Sequence, residues 1–275
     1  MLILKVLTKD LKSPHKNYQW ELGKQVVCKD FDNDPKRDCS NGFYGTEIEG
    51  LPYAFRHKKG HCVFEIEMSG KNVNYNIYKR RWQKAKLTGR EFSYDEIKQM
   101  AKEHEKICGY KLSEVLFPIN PLTDIAKYKV TKIDIENLRK WKIVSDSVSD
   151  SVSASVSDSV SDSVYASVYA SVSASVYVSV YASVSASVSR SVGDSVRASV
   201  YVSVYDSVYW SVYAYISGLF PNIKKWKYID HKKGVNPFQS CIDLWKRGFM
   251  PVFDGKTWHL CQGKNAEIVY SEVIK

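Results

Sequence analysis

The stretch from Ser145 to Ile216 decides the fold, because it consists of eighteen tetrapeptides in a row: SDSV SDSV SASV SDSV SDSV YASV YASV SASV YVSV YASV SASV SRSV GDSV RASV YVSV YDSV YWSV YAYI. The first seventeen units keep Ser third and Val fourth, and the last departs from the pattern as a capping unit would. A period this regular is typical of repeat proteins, in which each unit packs on its neighbours.

A β-strand suits this period better than a long α-helix. Four residues turn a helix by about 400°, so each Val would lie about 40° beyond the previous one and no constant apolar face would form. In a strand, positions two and four share one face, and Val and Tyr are favourable strand residues. The sequence therefore predicts a β-solenoid. Asp at several second positions would then face inward, which is costly, so a helical repeat and a disordered one remain the alternatives.

A coil of three units, about 12 residues, would arrange seven of the eight first-position tyrosines in two of the three columns along the solenoid, with Tyr209 in the third. This tyrosine ladder is a candidate binding surface of the repeat. One column holds Tyr165, Tyr177, Tyr201 and Tyr213, and the other holds Tyr169, Tyr181 and Tyr205.

Two α+β segments flank the array. Residues 1–144 predict a first strand at 1–8, a strand at 62–68, and a helix after Ser93, where Glu96 completes a capping box. Residues 217–275 predict a helix over 237–247 and a three-stranded meander whose first hairpin turns at Asp254-Gly255, a signal for a type I′ turn. The predicted fold class is therefore an α+β N-terminal domain (1–144), a β-solenoid (145–216) and a small α+β C-terminal cap (217–275).

Charge is distributed unevenly along the chain. The 275 residues include 40 Lys and Arg against 30 Asp and Glu, a net charge of +10. The array holds six Asp and two Arg and carries −4, so the other 203 residues carry +14. No apolar run reaches the roughly 20 residues of a membrane helix, and no secretory signal precedes the first strand. We expect a cytoplasmic protein of a bacterial host, without membrane association.

The six cysteines are widely spaced and include no Cys-x-x-Cys pair. In a cytoplasmic chain this spacing predicts reduced thiols. The cluster of Cys28, Cys39, His57, His61 and Cys62 matches no zinc-binding module. We therefore predict no metal site and no cofactor.

One basic run interleaves cations with aromatic residues, a combination that can grip phosphates and stack on bases. The candidate nucleic-acid-binding residues are Lys79, Arg80, Arg81, Trp82, Lys84 and Lys86. The competing interpretation is an ordinary solvated strand edge.

Several short motifs within residues 1–90 resemble a small domain of unknown function found in phage and prophage proteins, whose members carry Ser/Ala-rich repeat tails. The motifs are Gly23-Lys24, Cys39-Ser40-Asn41-Gly42-Phe43-Tyr44, Tyr53-Ala54-Phe55 and Val63-Phe64-Glu65-Ile66-Glu67. That family typically has Gly-Phe-His-Ala where this chain has Gly42-Phe43-Tyr44-Gly45, and it has no established activity to carry over.

The segment from Gly42 to Thr46, followed by a strand, also resembles part of the ADP-ribosyltransferase core. In that fold a Gly-x-Tyr-type segment stacks on nicotinamide, which would centre an enzyme on Tyr44. The fold also needs a His or Arg on its first strand and a later Glu, and the first strand here offers neither His nor Arg. Glu65 and Glu67 are explained more simply as the solvent side of a strand.

The function favoured by the sequence is that of a non-catalytic interaction or scaffold protein of phage or prophage type, which presents a rigid repeat rod to an unknown protein partner. Two alternatives stay open. One is a nucleic-acid-binding protein that uses its basic ends, and the other is an ADP-ribosyltransferase-like enzyme. No pair of nucleophile and base, and no phosphate-binding loop, stands out in the sequence.

Overall fold

The protein is described here as a computed structural model, which covers residues 2–37, 40–55, 60–76, 79–122, 127–148, 152–163, 198–263 and 266–274. The chain divides into two compact units. The N-terminal unit comprises Met1–Cys108 with Val115–Phe117, and the C-terminal unit comprises Gly109–Glu114 with Pro118–Lys275.

The N-terminal unit is built on an antiparallel sheet of five strands. The strands are β1 (Leu4–Leu7), β2 (Gln25–Val27), β3 (Phe43–Gly45), β4 (Cys62–Asn76) and β5 (Lys79–Phe92). The order is β1-β4-β5-β2, and β3 also pairs with β5. The predicted strands at 1–8 and 62–68 are confirmed. Alternation places one side of the second strand in the core, whereas β1 is apolar apart from Lys5 and buries Leu4, Val6 and Leu7. That core contains Ile3, Leu7, Trp20, Phe64, Ile66, Trp82, Ala85 and Leu87.

A short 3-10 helix (Ile48–Tyr53) and helix α1 (Tyr94–Cys108) complete this unit. The predicted capping box is confirmed: the Ser93 amide donates to Glu96 Oε2 at 2.8 Å, and the Glu96 amide donates to Ser93 Oγ at 3.2 Å. These bonds satisfy amides that no helical carbonyl can reach. The helix ends at Gly109, whose φ of +77° is easily adopted by a residue without Cβ.

The other helices are α2 (Leu112–Leu116), α3 (Lys132–Val148), α4 (Val152–Ser163), α5 (Ala198–Ser217) and α6 (Gln239–Lys246). The C-terminal unit also holds the predicted meander, with β6 (Met250–Phe253), β7 (Trp258–Gln262) and β8 (Glu267–Glu272) in that order. Trp141, Trp245 and Trp258 are buried in this unit, and the Tyr215 and Trp245 rings stack with centroids 5.1 Å apart.

The predicted β-solenoid is wrong. Residues 145–148 end α3, residues 152–163 form α4 and residues 198–216 lie in α5, so the described part of the array is helical, as in the helical alternative. The argument against a helix assumed one long element. Within the three units of α4 the Val row drifts by only about 80°, and the buried Val208 and Val212 of α5 lie only about 40° apart. A normal apolar stripe of about 100° accommodates both. Residues 164–197 lie outside the described residues.

Serine in the third position is compatible with a buried helix face. The described Ser-Val pairs are buried together: Ser155 with Val156, Ser207 with Val208, and Ser211 with Val212. The Ser211 hydroxyl donates to the Ser207 carbonyl at 2.8 Å, one turn earlier. A hydroxyl that bonds within its own helix can be buried without losing a hydrogen bond.

Asp158, in the second position of its unit, is partly exposed at the edge of the buried face of α4 and is not enclosed as in a solenoid coil. Asp158 accepts hydrogen bonds from Lys227 Nζ at 3.0 Å and Tyr228 Oη at 2.9 Å. These bonds hold the pKa of Asp158 below its ordinary value. The difficulty of buried aspartates, which counted against the solenoid, therefore does not arise at this position.

Candidate ligand-binding cleft

The N-terminal unit contains a cleft of about 540 Å³, within the range of small-molecule sites. Its walls come from β1, the loop that leads to Trp20, strand β3 with the residues before it, and the 3-10 helix. The Gly42-Phe43-Tyr44-Gly45 motif forms one wall, so the segment that carries both family resemblances lies at the cleft.

Lys5 on β1 and Lys16 are the lysines that line this cleft. Ile3, Lys5 and Leu7 alternate along the chain and so share the core side of β1, and both apolar neighbours belong to the core. The Lys5 side chain is partly exposed to the cleft. Its Nζ donates to the Tyr44 carbonyl at 2.8 Å and lies 5.3 Å from the centre of the Trp20 ring.

Burial lowers the pKa of Lys5 from 10.5 to about 8, because the ammonium loses hydration. Among the described residues, no carboxylate lies within salt-bridge distance of its Nζ. A lysine ammonium has three donors, and the Tyr44 carbonyl uses one of them. The remaining donors can bind an anion or a carbonyl oxygen that enters the cleft.

Aromatic rings form the wall beside Lys5. Tyr18, Trp20 and Phe43 pack edge to face, with centroid separations of 5.2, 5.6 and 6.1 Å. Trp20 is 3% exposed, and its Nε1 donates to Ser13 Oγ at 2.9 Å, which fixes the ring. The cleft therefore offers a preformed apolar wall next to a partly buried cation.

The two glycines of the motif allow close packing of β3. A Cβ on Gly42 would lie 2.5 Å from Arg81 Cγ, and a Cβ on Gly45 would lie 2.5 Å from Ile3 Cγ2. Neither position has room for a larger side chain. Glycine at these positions thus has a structural reason that is independent of any nicotinamide site.

Tyr44 lines the cleft, but its hydroxyl is held by the protein. It donates to the Ser40 carbonyl at 2.8 Å and accepts from Arg81 Nη1 at 3.3 Å. Glu65 accepts a hydrogen bond from Thr88, and Glu67 pairs with Lys86. Neither glutamate is among the described residues that line the cleft, so the acidic residue needed for an ADP-ribosyltransferase is not brought to Tyr44.

The candidate nucleic-acid-binding residues do not form one exposed surface. Arg81 is 2% exposed and donates to the carbonyls of Arg37 and Asp34, and Trp82 lies in the core at 7% exposure. The others lie on β5 as follows: Arg80 pairs with Glu47 at 3.1 Å, Lys86 pairs with Glu67 at 3.2 Å, Lys84 is half-buried, and the Lys79 side chain lies outside the described residues. Arg81 and Trp82 are therefore too buried to contact phosphates or bases.

The described tyrosines of the array do not stack 12 residues apart, as in the predicted ladder, but contact each other four residues apart along a helix. Tyr213 is half-buried, and its hydroxyl lies 3.1 Å from that of Tyr209, four residues earlier, with ring centroids 4.8 Å apart. The solenoid had placed Tyr209 in a different column. Tyr201 and Tyr205 lie in α5 without described side chains, and the remaining ladder residues, Tyr165, Tyr169, Tyr177 and Tyr181, lie outside the described residues.

Sequence reasoning missed Lys5. The available signal was a single lysine inside an otherwise apolar strand, Leu2-Ile3-Leu4-Lys5-Val6-Leu7. Charged residues are rarely placed on the core side of a strand without a partner or a role. The cleft itself could not be read from the sequence, because its walls come from segments about 40 residues apart.

No family model, curated protein or solved structure matches the chain. Across the described residues, no helix is both long and apolar enough to cross a membrane.

Proposed function

We propose that the N-terminal unit is a non-catalytic binding module, which takes up a small ligand with a planar ring and an anionic group, such as a carboxylate. The observation that carries this proposal is the partly buried Lys5 amine, which faces an aromatic-walled cleft and has no carboxylate partner in the described part of the chain. Non-catalytic binding is what the sequence favours, but the proposed surface is the cleft and not the repeat array.

The energetics support an anion as the ligand. A buried ammonium that lacks a counter-ion destabilises the folded protein, and a bound carboxylate would offset that cost. A hydrogen bond to a charged group contributes about 1.5–3 kcal/mol, equivalent to about 10- to 150-fold in affinity. Rings of the ligand would pack on Tyr18 and Phe43, which lie at the rim of the cleft.

Titration calorimetry of the full chain with matched ligands tests the proposal. Indole-3-acetate and its neutral amide have the same ring and nearly the same shape, so their difference reports the charge alone. We expect the acid to bind at least about 10-fold more tightly than the amide, and Lys5→Met to remove that preference. NAD, included as a third ligand, tests the ADP-ribosyltransferase alternative.

Proton uptake gives a second readout. An anion next to Lys5 raises the pKa of its ammonium, so binding near pH 8 should take up roughly half a proton per ligand. The uptake is measured from binding heats in two buffers with different ionisation enthalpies. Lys98→Met, at an exposed lysine on α1, is the matched control and should bind as wild type does. Equal affinity for the acid and the amide, or unchanged preference in Lys5→Met, would refute the proposal.

A further inference from the structure

Three polar side chains of the C-terminal meander form a continuous hydrogen-bond chain. Ser271 on β8 and His259 on β7 lie directly opposite each other in the antiparallel register. Ser271 Oγ is 2.8 Å from His259 Nδ1, and His259 Nε2 is 3.0 Å from Asp254 Oδ2. A nucleophile, a base and an orienting carboxylate in this order form the arrangement that activates serine for acyl transfer.

The carboxylate at the end of the chain is fixed by the turn in which it lies. Asp254 Oδ1 accepts the backbone amides of Thr257 at 2.7 Å and Lys256 at 2.9 Å, which leaves Oδ2 for His259. Partial burial raises the pKa of Asp254, but the bonds from His259 and the two amides outweigh it and hold the pKa below its ordinary value. Asp254 is therefore ionised at neutral pH.

An ionised carboxylate accepts hydrogen bonds and donates none. In the neutral imidazole, Nε2 must then carry the proton that Asp254 accepts, and Nδ1 keeps its lone pair. That lone pair faces the Ser271 hydroxyl. The turn thus sets the tautomer of His259, and this tautomer can take a proton from the serine.

His259 and Ser271 differ in solvent exposure in the way that a reactive serine requires. The His259 side chain is 14% exposed, so its ring is held in place. It lies between buried Val252 on β6 and exposed Ser271 on β8, opposite both in the sheet register. The base is therefore enclosed while the nucleophile is accessible to a substrate.

We propose that Ser271 is a nucleophile that His259 activates and Asp254 positions, and that it accepts acyl groups from small activated carboxylic esters. Ser271 Oγ attacks the ester carbonyl and transfers its proton to His259 Nδ1. The C–O bond to the leaving group then breaks, and the departing alkoxide takes that proton, which leaves acyl-Ser271 and an alcohol. Water attacks the acyl group with His259 again as base, which releases the acid and restores the hydroxyl.

The open position of Ser271 determines the class of substrate. An exposed residue on an outer strand does not enclose a large acyl chain, so the ester must be reactive in itself and small. This inference does not depend on the cleft, because all three residues belong to the C-terminal unit.

The experiment treats the full chain with a fluorophosphonate and, separately, with p-nitrophenyl acetate. Peptide mass spectrometry should find the phosphonyl group on Ser271, with the serines of the array and Ser93 as internal controls. Ser271→Ala should abolish that label, and His259→Gln should slow ester turnover by about 100-fold. Circular dichroism of each variant checks that the fold is retained.

Asp254→Asn tests the positioning role. An amide can donate to Nε2 and so favours the other tautomer, in which Nδ1 carries a proton and cannot accept one from Ser271. We expect the ¹⁵N shifts of the His259 ring to change from the Nε2–H to the Nδ1–H pattern, together with a loss of labelling. Labelling of Ser271 no faster than that of Ser93, or a wild-type ring in the Nδ1–H tautomer, would overturn the proposal and leave a purely structural hydrogen-bond chain.

Discussion

Replacing Lys5 with Met tests whether the N-terminal unit buries an uncompensated charge. Burial lowers the pKa of Lys5 from 10.5 to about 8. Between these values the unfolded chain binds more protons than the folded protein, so the stability of the wild type rises with pH. At and below about pH 7 the full cost of the buried ammonium is present, and it disappears as pH rises through the ordinary pKa of lysine.

The size of the effect follows from that pKa difference. A difference of one in pKa corresponds to about 1.4 kcal/mol, so the buried charge destabilises the folded protein by about 3 kcal/mol at pH 7. Methionine keeps the apolar stem but loses the bond to the Tyr44 carbonyl, which costs about 1 kcal/mol. We therefore expect Lys5→Met to be about 2 kcal/mol more stable than wild type at pH 7. By pH 10 this advantage should fall by about 2.5 kcal/mol.

Urea unfolding followed by pulse proteolysis is the suitable assay, because mass spectrometry of peptides from β4 and β5 reports the N-terminal unit alone. Lys98→Met, at an exposed lysine of α1, should differ from wild type by less than about 0.5 kcal/mol at both pH values. The reasoning is refuted if Lys5→Met is less stable than wild type at pH 7, or if its stability difference from wild type stays constant between pH 7 and pH 10.

Two further predictions concern the C-terminal unit. Ser207 Oγ accepts the Phe253 amide at 3.0 Å, so Ser207→Ala should lower the unfolding free energy by about 1–3 kcal/mol. Ser211→Ala should cost less than about 1 kcal/mol, because its hydroxyl donates to the Ser207 carbonyl of its own helix at 2.8 Å and reaches the Pro251 carbonyl of β6 only at 3.4 Å. Equal costs in urea unfolding would contradict this difference between the two serines. Asp134 is 1% exposed and pairs with Arg247 at 2.9 Å. Arg247→Met should therefore lower the unfolding free energy by about 2–3 kcal/mol at pH 7. This is less than for a fully buried pair, because solvent screens the partly exposed Arg247. Burial raises the pKa of Asp134, but hydrogen bonds from Arg247 and Thr131 outweigh burial and hold the pKa below its ordinary value. The stability that this pair contributes is therefore lost as pH falls below about 4. Thermal melts of Arg247→Met should approach those of wild type near pH 2.

The sequence predicted the helix ends, strands and turns that depend on interactions between residues close together in the chain. The Ser93–Glu96 capping box, the alternation that begins at Cys62 and the meander that turns at Asp254-Gly255 are confirmed in kind. The turn itself differs from the expected type: Gly255 has a φ of +94°, while Lys256 is not among the residues with positive φ. Asp254 is not among those residues either, so a type I′ turn, which needs positive φ at both central positions, does not form here.

The candidate sites depend on contacts that no local pattern contains. Lys5 meets the Tyr44 carbonyl only because β1 and β3 approach each other at the bridge between Leu4 and Thr46. Ser271 and His259 are 12 residues apart and meet through the register of β7 with β8. A shift of one residue in that register would send the serine to the opposite face of the sheet.

By itself the sequence determined the period of the array, the positions of Ser and Val within each unit, and the capped or turning ends of the flanking elements. Only the tertiary structure decided that the described units are helical. The reason is that a period of four is compatible with both backbones: in a strand it places Val on one face, and in a short helix it gives a drifting stripe that is still narrow enough to bury. Burial of Val156, Val208 and Val212 against neighbouring elements, together with hydroxyls that bond within the helix, selects the second arrangement.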